Sequence, residues 1–376
     1  MRYFIFTIIL LFASCSTSKL VNDNQPSVSN ANTVSKNVKE PKVKNIIFMI
    51  GDGMGLSQVT AGMFMNGNQL ELERCTSIGI QKPYAADDLI TDSAAGATAF
   101  SIGRKTNNGY LGLDALGVSH TTIMEDLSKR GMATGLIVTS TIVHATPAAY
   151  FAHQKDRDNY EDIAMDLVNS DFNLFIGGGK KYFDRRTKDT LNLITQLKSR
   201  DYYVTDYFAN DLNEMIFPKV KKFCYFTADG DPLPVSMGRT YLPIATMKGI
   251  QFLNELSNKG FFLMVEGSQI DWGGHENDAN YIITEVLDFD KAIKAAFDFA
   301  EKDQHTLVVI TADHETGGFA INSGKKFGDL KTGFTTKKHS ADLIPVYAFG
   351  PGAEQFSGIY ENTEIYFKMK KLMERE

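Results

Sequence analysis

The sequence is poor in cysteine, with only three among 376 residues: Cys15, Cys75 and Cys224. They form no Cys-x-x-Cys pair, which argues against a zinc site built from thiolates. Cys75 and Cys224 could form one disulfide, but we expect both to be free and buried. Any metal chemistry must therefore come from oxygen and imidazole ligands.

Long apolar runs and runs of basic residues are also missing. The net charge is −6 and no stretch is rich in Lys and Arg, so we predict no surface that recognises nucleic acid. The hydrophobic content of 43% and the charged content of 22% are ordinary for a globular protein. The length suits one large α/β domain or two ordinary ones, and no internal repeat is evident.

The N-terminus reads as a targeting segment. In residues 1–15, Arg2 precedes an apolar run that is too short to span a bilayer, and small residues precede Cys15 as in a bacterial lipobox. A lipidated Cys15 would anchor the exported protein in the periplasm or cell envelope, and would be its only membrane contact. An ordinary cleaved signal peptide is the alternative. Residues 16–42 are predicted to be a flexible tether.

From residue 43 to 376, strand-like and helix-like segments alternate. A helix predicted over residues 121–130 precedes a strand over 134–139, and a helix over 244–256 precedes a strand that begins at Phe261. This alternation of strands and helices predicts an α/β fold, a three-layer doubly wound sheet that is mostly parallel. The less regular segment of about 180–240 is interpreted as an insertion on the same domain.

Three short apolar runs each lead into acidic residues. The run 46–50 precedes Asp52, the run 261–265 precedes Glu266, and the run 306–311 precedes Asp313 and His314. Such runs are typical of buried parallel strands, whose carboxyl ends meet at one edge of a sheet. Because crowded carboxylates repel one another, the sequence predicts a bound cation at this edge.

A further cluster follows Glu266. Asp271 and His275 are four residues apart, so on a helical turn they face the same way and suit zinc. Gly273 and Gly274 make a regular helix doubtful. Trp272, the only tryptophan, is placed at the rim of the site, although it could simply pack in the core.

The remaining histidines divide into two groups. His339 precedes a predicted strand over residues 344–349 and adds an imidazole to those of His275 and His314. We expect His120, His153 and His305 to be structural or surface residues.

The run of small residues from Thr91 to Ala99 places Ser93 at or near a helix N-terminus, which favours an anion. That setting suits a serine that accepts phosphate, although Asp92 or Ser93 could simply cap the helix. Arg157 offers two donors to a phosphoryl group, or it is a solvated surface arginine.

Between these lies the segment His144-Ala145-Thr146-Pro147. The hydroxyl of Thr146 is an acceptable ligand for a hard cation such as magnesium.

Together these motifs resemble those of the alkaline phosphatase family, in the same order. The resemblance covers nearly all of residues 43–376, and the segment 180–240 matches least. It implies an alkaline-phosphatase-like fold and a catalytic domain over 43–376. The segments that carry it are 45–60, 91–114, 144–157, 261–277, 307–318 and 339–365.

The resemblance also implies a mechanism and a ligand set. It implies hydrolysis of phosphate monoesters through a phosphoserine at Ser93, with an alkaline rate optimum, two zinc ions, one magnesium ion and Arg157 on the phosphate. The implied ligands are Asp271, His275 and His339 for the first zinc, Asp52, Asp313, His314 and Ser93 for the second, and Asp52, Thr146 and Glu266 for magnesium.

The chain departs from the best-known bacterial members at two positions near the phosphate. They carry an aspartate where His144 stands and a lysine where Trp272 stands, so we assign both residues to substrate binding. We expect small phosphorylated metabolites as substrates, and the chain could form a homodimer. The alternatives are a phosphodiesterase on the same metal scaffold and a non-catalytic lipoprotein that binds metal or phosphate. A sulfatase is disfavoured because Ser93 lacks the required Pro/Arg motif.

Overall fold

A computed structural model of the protein describes residues 42–374. The predicted signal peptide, Cys15 and the tether, apart from Lys42, lie outside the described residues. Within the described range, no helix combines the length and the apolar character that crossing a bilayer requires.

Fourteen strands are found in the described residues, and ten of them form one sheet in the order β14-β2-β13-β8-β1-β7-β3-β4-β6-β5. β10 and β11 form a hairpin, and β9 and β12 form a small ladder. The strands are β1 Asn45–Gly51, β2 Ser77–Lys82, β3 Ala133–Thr141, β4 Leu174–Gly178, β5 Tyr202–Asp206, β6 Lys222–Phe226, β7 Phe261–Gly267, β8 Thr306–Thr311, β9 Glu315–Thr316, β10 Ala320–Lys326, β11 Asp329–Gly333, β12 His339–Ser340, β13 Ile344–Phe349 and β14 Gly358–Glu361.

Eleven α-helices connect the strands in this range, with short 3-10 turns at Glu71–Arg74, Val235–Met237 and Ala353–Phe356. The helices are α1 Leu56–Met65, α2 Ser93–Ile102, α3 Ile123–Lys129, α4 Ala145–Ala148, α5 Tyr160–Asn169, α6 Lys181–Asp184, α7 Leu193–Ser199, α8 Tyr241–Leu256, α9 Gln269–Glu276, α10 Ala279–Asp303 and α11 Thr363–Met373.

Nine strands of the large sheet run in one direction, and β13 runs against them, antiparallel to both β2 and β8. The central strands β8, β1, β7 and β3 are parallel to one another. Their carboxyl ends therefore meet at one edge of the sheet, and β13 begins at that same edge. This geometry brings residues that are far apart in the sequence into one place.

The sheet is covered on both faces. Along β1, Ile46, Phe48 and Ile50 belong to one apolar cluster, whereas Ile47 and Met49 belong to the other. Side chains alternate between the two faces of a strand, so a strand with layers on both sides reads as a continuous apolar run. The predicted three-layer, mostly parallel α/β sheet is thus confirmed.

The segment 180–240 carries α6, α7 and the two strands at one edge of the sheet, β5 and β6. Both described cysteines are free, as predicted. Cys224 is buried, but Cys75 is only partly buried, so the prediction of two buried thiols was wrong for Cys75. Cys75 follows the exposed 3-10 turn Glu71–Arg74 at the surface of the fold, which explains its partial exposure.

Candidate metal centre

Three neighbouring strands deliver carboxylates to the same edge of the sheet. Asp52 follows β1, Glu266 is the next-to-last residue of β7, and Asp313 lies two residues beyond β8. β8 and β7 flank β1 on either side, so the three side chains meet below the surface, and each is fully buried. The predicted convergence of acidic residues is therefore what the fold produces.

Ser93 is the first residue of α2. The neighbouring Asp92 caps this helix, because its carboxylate accepts a hydrogen bond from the backbone N–H of Ala95 at 2.8 Å. The hydroxyl of Ser93 does not serve as the cap and lies 3.2 Å from Nε2 of His314. Of the two roles considered for Ser93 and Asp92, capping thus falls to Asp92, and the hydroxyl of Ser93 lies against His314.

Asp271 and His275 lie on α9, with Nε2 of His275 3.2 Å from Oδ2 of Asp271. The helix is regular despite its two glycines, so our doubt on this point was wrong. Glycine is required at both positions because the helix packs closely against its neighbours. A Cβ at Gly273 would lie 2.7 Å from the backbone N of Ile282, and one at Gly274 would lie 2.8 Å from Thr316. Only glycine lets α9 approach its neighbours so closely.

His339 reaches the site through β12, which pairs with β9 so that His339 lies opposite Thr316. Its Nε2 lies 3.2 Å from Nε2 of His275 and 3.5 Å from an oxygen of Asp271. Its ring stacks on that of His314, with centroids 3.5 Å apart. The short antiparallel pairing of β12 with β9 thus brings His339 next to residues that precede it in the sequence by up to 68 positions.

Backbone carbonyl groups orient two of these imidazoles. Nδ1 of His275 donates to the carbonyl of Lys337 at 2.7 Å, and Nδ1 of His339 donates to the carbonyl of Thr91 at 2.8 Å. In the neutral ring, a proton held on Nδ1 leaves the lone pair of Nε2 free. Both Nε2 atoms point toward the centre, which is the arrangement found in metal-binding histidines.

Within the described residues, three groups of side chains place their potential ligand atoms within 4.8 Å of one another. The fold also brings two predicted ligands outside these groups into the centre: His275, and Thr146, whose hydroxyl lies 3.3 Å from Asp52. The groups are Asp271, His314 and His339; Asp52, Asp313 and His314; and Asp52, His144 and Glu266.

Several oxygens at the centre suit a cation because the described residues offer them no hydrogen-bond donor. They are Oδ1 of Asp52, Oδ2 of Asp313 and both carboxylate oxygens of Glu266. A buried polar atom without a partner costs free energy, and a buried charge costs more. Divalent cations bound among these oxygens would remove that cost, so the residues fit the ions that the sequence predicted.

The electrostatics of the carboxylates point the same way. Burial, together with the charge of Asp271, raises the pKa of Asp313 to about 6. Burial raises the pKa of Glu266 to about 8, and burial with Asp313 raises that of Asp52 well above its usual range. These groups resist ionisation unless a positive charge joins them.

Asp271 and the histidines near it behave differently. Burial opposes ionisation of Asp271, but the hydrogen bond from His275 and the neighbouring imidazoles hold its pKa well below the usual range. The same hydrogen bond raises the pKa of His275 to about 9. Burial and the charge of His339 lower the pKa of His314, which keeps this ring neutral and able to bind a metal.

Beside the carboxylates lies the region expected to hold phosphate. Arg157 donates from Nη1 to Asp92 at 3.0 Å, and its Nη2 lies 3.5 Å from Nε2 of His144. Trp272 packs edge-on against His144 with ring centroids 6.2 Å apart. Arg157 is therefore held at the site by Asp92, one residue before Ser93, and is not a freely solvated surface arginine.

Some residues of the centre were missed by the sequence analysis. Thr316 donates to Asp271 and lies 3.2 Å from Nδ1 of His314, and Gln58 donates to the buried Glu315 at 2.7 Å. The position of Thr316, two residues after His314 and on the short strand β9, was the available signal. His144, which was assigned to substrate binding and also considered as a contact of the magnesium site through water, lies in one of the three candidate ligand groups.

The other histidines lie outside these groups. His120 lies 2.8 Å from Asp114 and His153 lies 3.2 Å from Glu125, in each case with a carboxylate partner. Nδ1 of His305 donates to the carbonyl of Lys42 at the amino end of the strands. Their places in the fold agree with the structural or surface roles expected for them.

Comparison with known proteins places this geometry in a family context. A family model described as alkaline phosphatase matches residues 43–331. Alkaline phosphatase 3 of Bacillus subtilis is 34% identical, with 95% of this chain and 94% of that protein covered. The alkaline phosphatase of Escherichia coli K12 is 29% identical, with 89% and 86% covered.

Solved structures agree with the sequence matches. The alkaline phosphatase of the Antarctic bacterium TAB5 has a TM-score of 0.84 and 39% identity, with 90% of this chain and 100% of that chain covered. A histidine-to-aspartate variant of that enzyme, solved with magnesium in a site called M3, has the same TM-score, identity and coverage.

Proposed function

Because this chain belongs to the alkaline phosphatase family, we propose that it hydrolyses phosphate monoesters through a phosphoserine at Ser93 and releases inorganic phosphate. One observation carries the proposal. The hydroxyl of Ser93 lies at the N-terminus of α2, beside buried carboxylates and imidazoles that fit divalent cations. A helix N-terminus stabilises negative charge, which favours both an alkoxide and a phosphoryl group there.

We propose two zinc ions and one magnesium ion as the cofactors. Imidazole-rich groups suit zinc, and oxygen ligands suit magnesium. The ions would lower the pKa of the Ser93 hydroxyl and neutralise charge on the phosphoryl and leaving oxygens. The ligand sets would be Asp271, His275 and His339; Asp52, Asp313, His314 and Ser93; and Asp52, Thr146 and Glu266.

The serine makes and breaks the covalent bond. Oγ of Ser93 attacks phosphorus as the bond to the leaving oxygen breaks, and the alcohol departs with a proton. Water then cleaves the phosphoserine and restores the hydroxyl. Two displacements, each with inversion, give retention at phosphorus, and the need for a deprotonated serine gives an alkaline rate optimum.

Arg157 positions the phosphoryl group. Its planar guanidinium offers paired donors that match two phosphoryl oxygens, and its ion pair with Asp92 at 3.0 Å fixes where those donors lie. Because Asp92 also caps α2, a single carboxylate fixes the position of the Arg157 guanidinium relative to the first turn of α2, which carries Ser93. This arrangement would bring attacking oxygen and phosphorus together before reaction.

The substitution Ser93→Ala tests the proposal. Without its nucleophile the enzyme should lose turnover of p-nitrophenyl phosphate by roughly three orders of magnitude or more, measured with zinc and magnesium present. Ser101→Ala is the matched control, because Ser101 is a buried serine of the same helix whose hydroxyl donates only to the carbonyl of Thr98. Near wild-type turnover in Ser93→Ala would refute the nucleophile assignment.

Two further measurements complete the test. Elemental analysis should find zinc and magnesium at two to one. Rates on p-nitrophenyl phosphate and on bis(p-nitrophenyl) phosphate separate a monoesterase from a phosphodiesterase, and binding of phosphate without turnover at any pH would favour the non-catalytic alternative. Export, anchoring through Cys15, small phosphorylated metabolites as substrates and a homodimer stay predictions.

A further inference from the structure

Tyr150 has an apolar environment around its ring and an unmet requirement at its hydroxyl. The ring belongs to the apolar cluster that contains Phe262, and the centroids of the two rings lie 6.3 Å apart. The whole side chain is shut off from solvent, and no described residue offers the hydroxyl a hydrogen-bond partner. A buried hydroxyl without a partner costs free energy, so its presence calls for a reason.

Other buried tyrosines of the described chain meet this requirement within the fold. The hydroxyl of Tyr202 donates to the carbonyl of Phe172 at 2.6 Å, and that of Tyr241 donates to the carbonyl of Val138 at 2.8 Å. Buried tyrosines usually place their hydroxyl on such an acceptor. Phenylalanine would pack as well as Tyr150 in its apolar surroundings, so the hydroxyl indicates a polar role.

The position of Tyr150 after α4 directs its side chain toward the metal centre. The helical turn of α4 continues to Ala152, whose N–H donates to the carbonyl of Ala148 at 2.7 Å. Thr146 and Tyr150 are four residues apart and therefore lie on the same side of this turn. Because helical side chains lean toward the N-terminus, Tyr150 leans toward Thr146, whose hydroxyl lies 3.3 Å from Asp52.

Strand β7 connects the surroundings of Tyr150 to Glu266. Alternate residues of a strand share one face, so Phe262, Met264 and Glu266 form one row along β7. Phe262 and Met264 belong to the same apolar cluster as Tyr150. Glu266 ends this row at the metal centre, and the described residues provide no donor to either of its carboxylate oxygens. An unpartnered donor and an unpartnered acceptor thus lie on the same face of the sheet.

The electrostatics agree with this placement. Burial raises the pKa of Tyr150 well above its usual range, and the charges of Glu266 and Asp313 raise it further. The phenol therefore keeps its proton and can donate it in a hydrogen bond, whereas ionised carboxylates only accept. Oδ2 of Asp313 also has no donor among the described residues, so both carboxylates that act on the phenol have free acceptor oxygens.

We propose that Tyr150 is a positioning residue of the metal centre, whose hydroxyl donates through one buried water to the carboxylate of Glu266 and holds it in the orientation that binds magnesium. The inference rests on the proposed magnesium site. A water is required because the hydroxyl makes no direct hydrogen bond to a described residue. Buried waters typically make about three hydrogen bonds, and Asp313 offers a further acceptor.

The variant Tyr150→Phe tests the inference, because it removes one oxygen and keeps the ring. Tyr202→Phe is the matched control. It removes the hydroxyl of another buried tyrosine, which lies on the edge strand β5, away from the metal centre. Isothermal titration calorimetry of the full-length, zinc-loaded proteins with magnesium chloride measures the affinity for magnesium directly.

We expect the Kd for magnesium to rise about tenfold in Tyr150→Phe and to stay at the wild-type value in Tyr202→Phe, since groups that orient a metal ligand typically change affinity by about 10–100-fold. Phosphatase activity of Tyr150→Phe should return to near the wild-type level when magnesium is raised to saturation. That recovery distinguishes a positioning role from general damage to the fold, which added magnesium would not repair.

An unchanged Kd in Tyr150→Phe, or an equal rise in Tyr202→Phe, would overturn the inference. If Tyr150→Phe does not fold, Tyr150→Met replaces it, because a flexible apolar side chain fills the same space without a hydroxyl and should show the same loss. Failure of the proposed magnesium site looks different. The wild type would then bind no magnesium in the titration, and the inference would fall with that site.

Discussion

Two groups of buried carboxylates in this molecule differ in the source of their positive charge. In the first, Arg239 donates from Nη2 to Glu285 at 2.6 Å and to Asp288 at 2.8 Å, and all three side chains are nearly inaccessible to solvent. Burial raises the pKa values of Glu285 and Asp288, while the guanidinium lowers them. The chain itself supplies the cation for this group.

Among the described residues, the carboxylates of Asp52, Glu266 and Asp313 have no guanidinium partner of this kind. The nearest guanidinium, that of Arg157, is paired with Asp92, while oxygens of Asp52, Glu266 and Asp313 have no hydrogen-bond donor. The difference separates a structural cluster from a functional one. Removing the cation from a buried ion pair leaves an uncompensated charge and is strongly destabilising, whereas buried carboxylates without a counter-charge are candidates for binding a cation.

Removal of metal ions should have the largest effect, because it acts on the metal centre and leaves the Arg239 cluster intact. Treatment with a chelator should reduce phosphatase activity roughly a thousandfold or more, since the nucleophile and the phosphoryl charge both depend on the ions. The melting temperature should fall as well, because ligands that bind only the folded state stabilise it. Assays before and after dialysis against zinc and magnesium check this, and full activity in metal-free protein would contradict it.

Substitution of Arg239 should act on stability more than on chemistry. Arg239→Met leaves Glu285 and Asp288 buried without a cation, and should lower the free energy of unfolding by about 3–5 kcal/mol. Arg185→Met is the control, because Arg185 pairs with Asp229 at the exposed surface, where such pairs contribute about 1 kcal/mol or less. Denaturant titration measures the free energy of unfolding of both variants. Equal losses would show that the buried ion pair contributes no more to stability than the exposed one.

The stability of the metal-free protein should depend on pH through the buried carboxyl groups of the metal centre. Burial raises the pKa of Asp313 to about 6 and that of Glu266 to about 8, above the values of about 4 in the unfolded chain. Folded protein then binds more protons than unfolded protein, so this contribution to stability is lost as the pH rises from about 4 to 8.

Melting curves of chelated wild type and chelated Glu266→Gln at pH 5, 6.5 and 8 isolate the effect of one carboxyl. The variant should gain on the wild type as the pH rises. In the metal-loaded protein the trend should reverse, because deprotonated ligands bind metal more tightly.

The smallest expected effect concerns His144. Burial and the charge of Arg157 lower its pKa to about 3, so the ring is neutral at pH 7, although it lies in a group with Asp52 and Glu266. His144→Asp should therefore tighten magnesium binding about tenfold, since a carboxylate replaces a neutral ring beside a hard cation. Activity against magnesium concentration measures this, and His144→Asn controls for loss of the ring.

The positions of the carboxylates were predictable because they depend on a simple rule. Asp52, Glu266 and Asp313 each follow a continuous apolar run, and parallel strands bring such ends together without knowledge of side-chain packing. The same rule predicted the three layers, and the structure confirms them.

Features that depend on tertiary contact were harder to predict. Gly273 and Gly274 lie within a regular helix because Thr316 and Ile282 pack so closely against it that no side chain would fit at these positions. The local sequence gives no sign of that packing. Cys75 is partly exposed because burial depends on which parts of the fold cover a residue, and the local sequence does not show this.

The reversed strand β13 has a consequence for how the protein is made. Synthesis proceeds from the amino terminus, so Asp52, Glu266, Asp271 and Asp313 all leave the ribosome before His339. The ladder that brings in that last imidazole closes just as the chain turns back into β13. A chain that stops before His339 would therefore hold most of the proposed ligands but not the complete set.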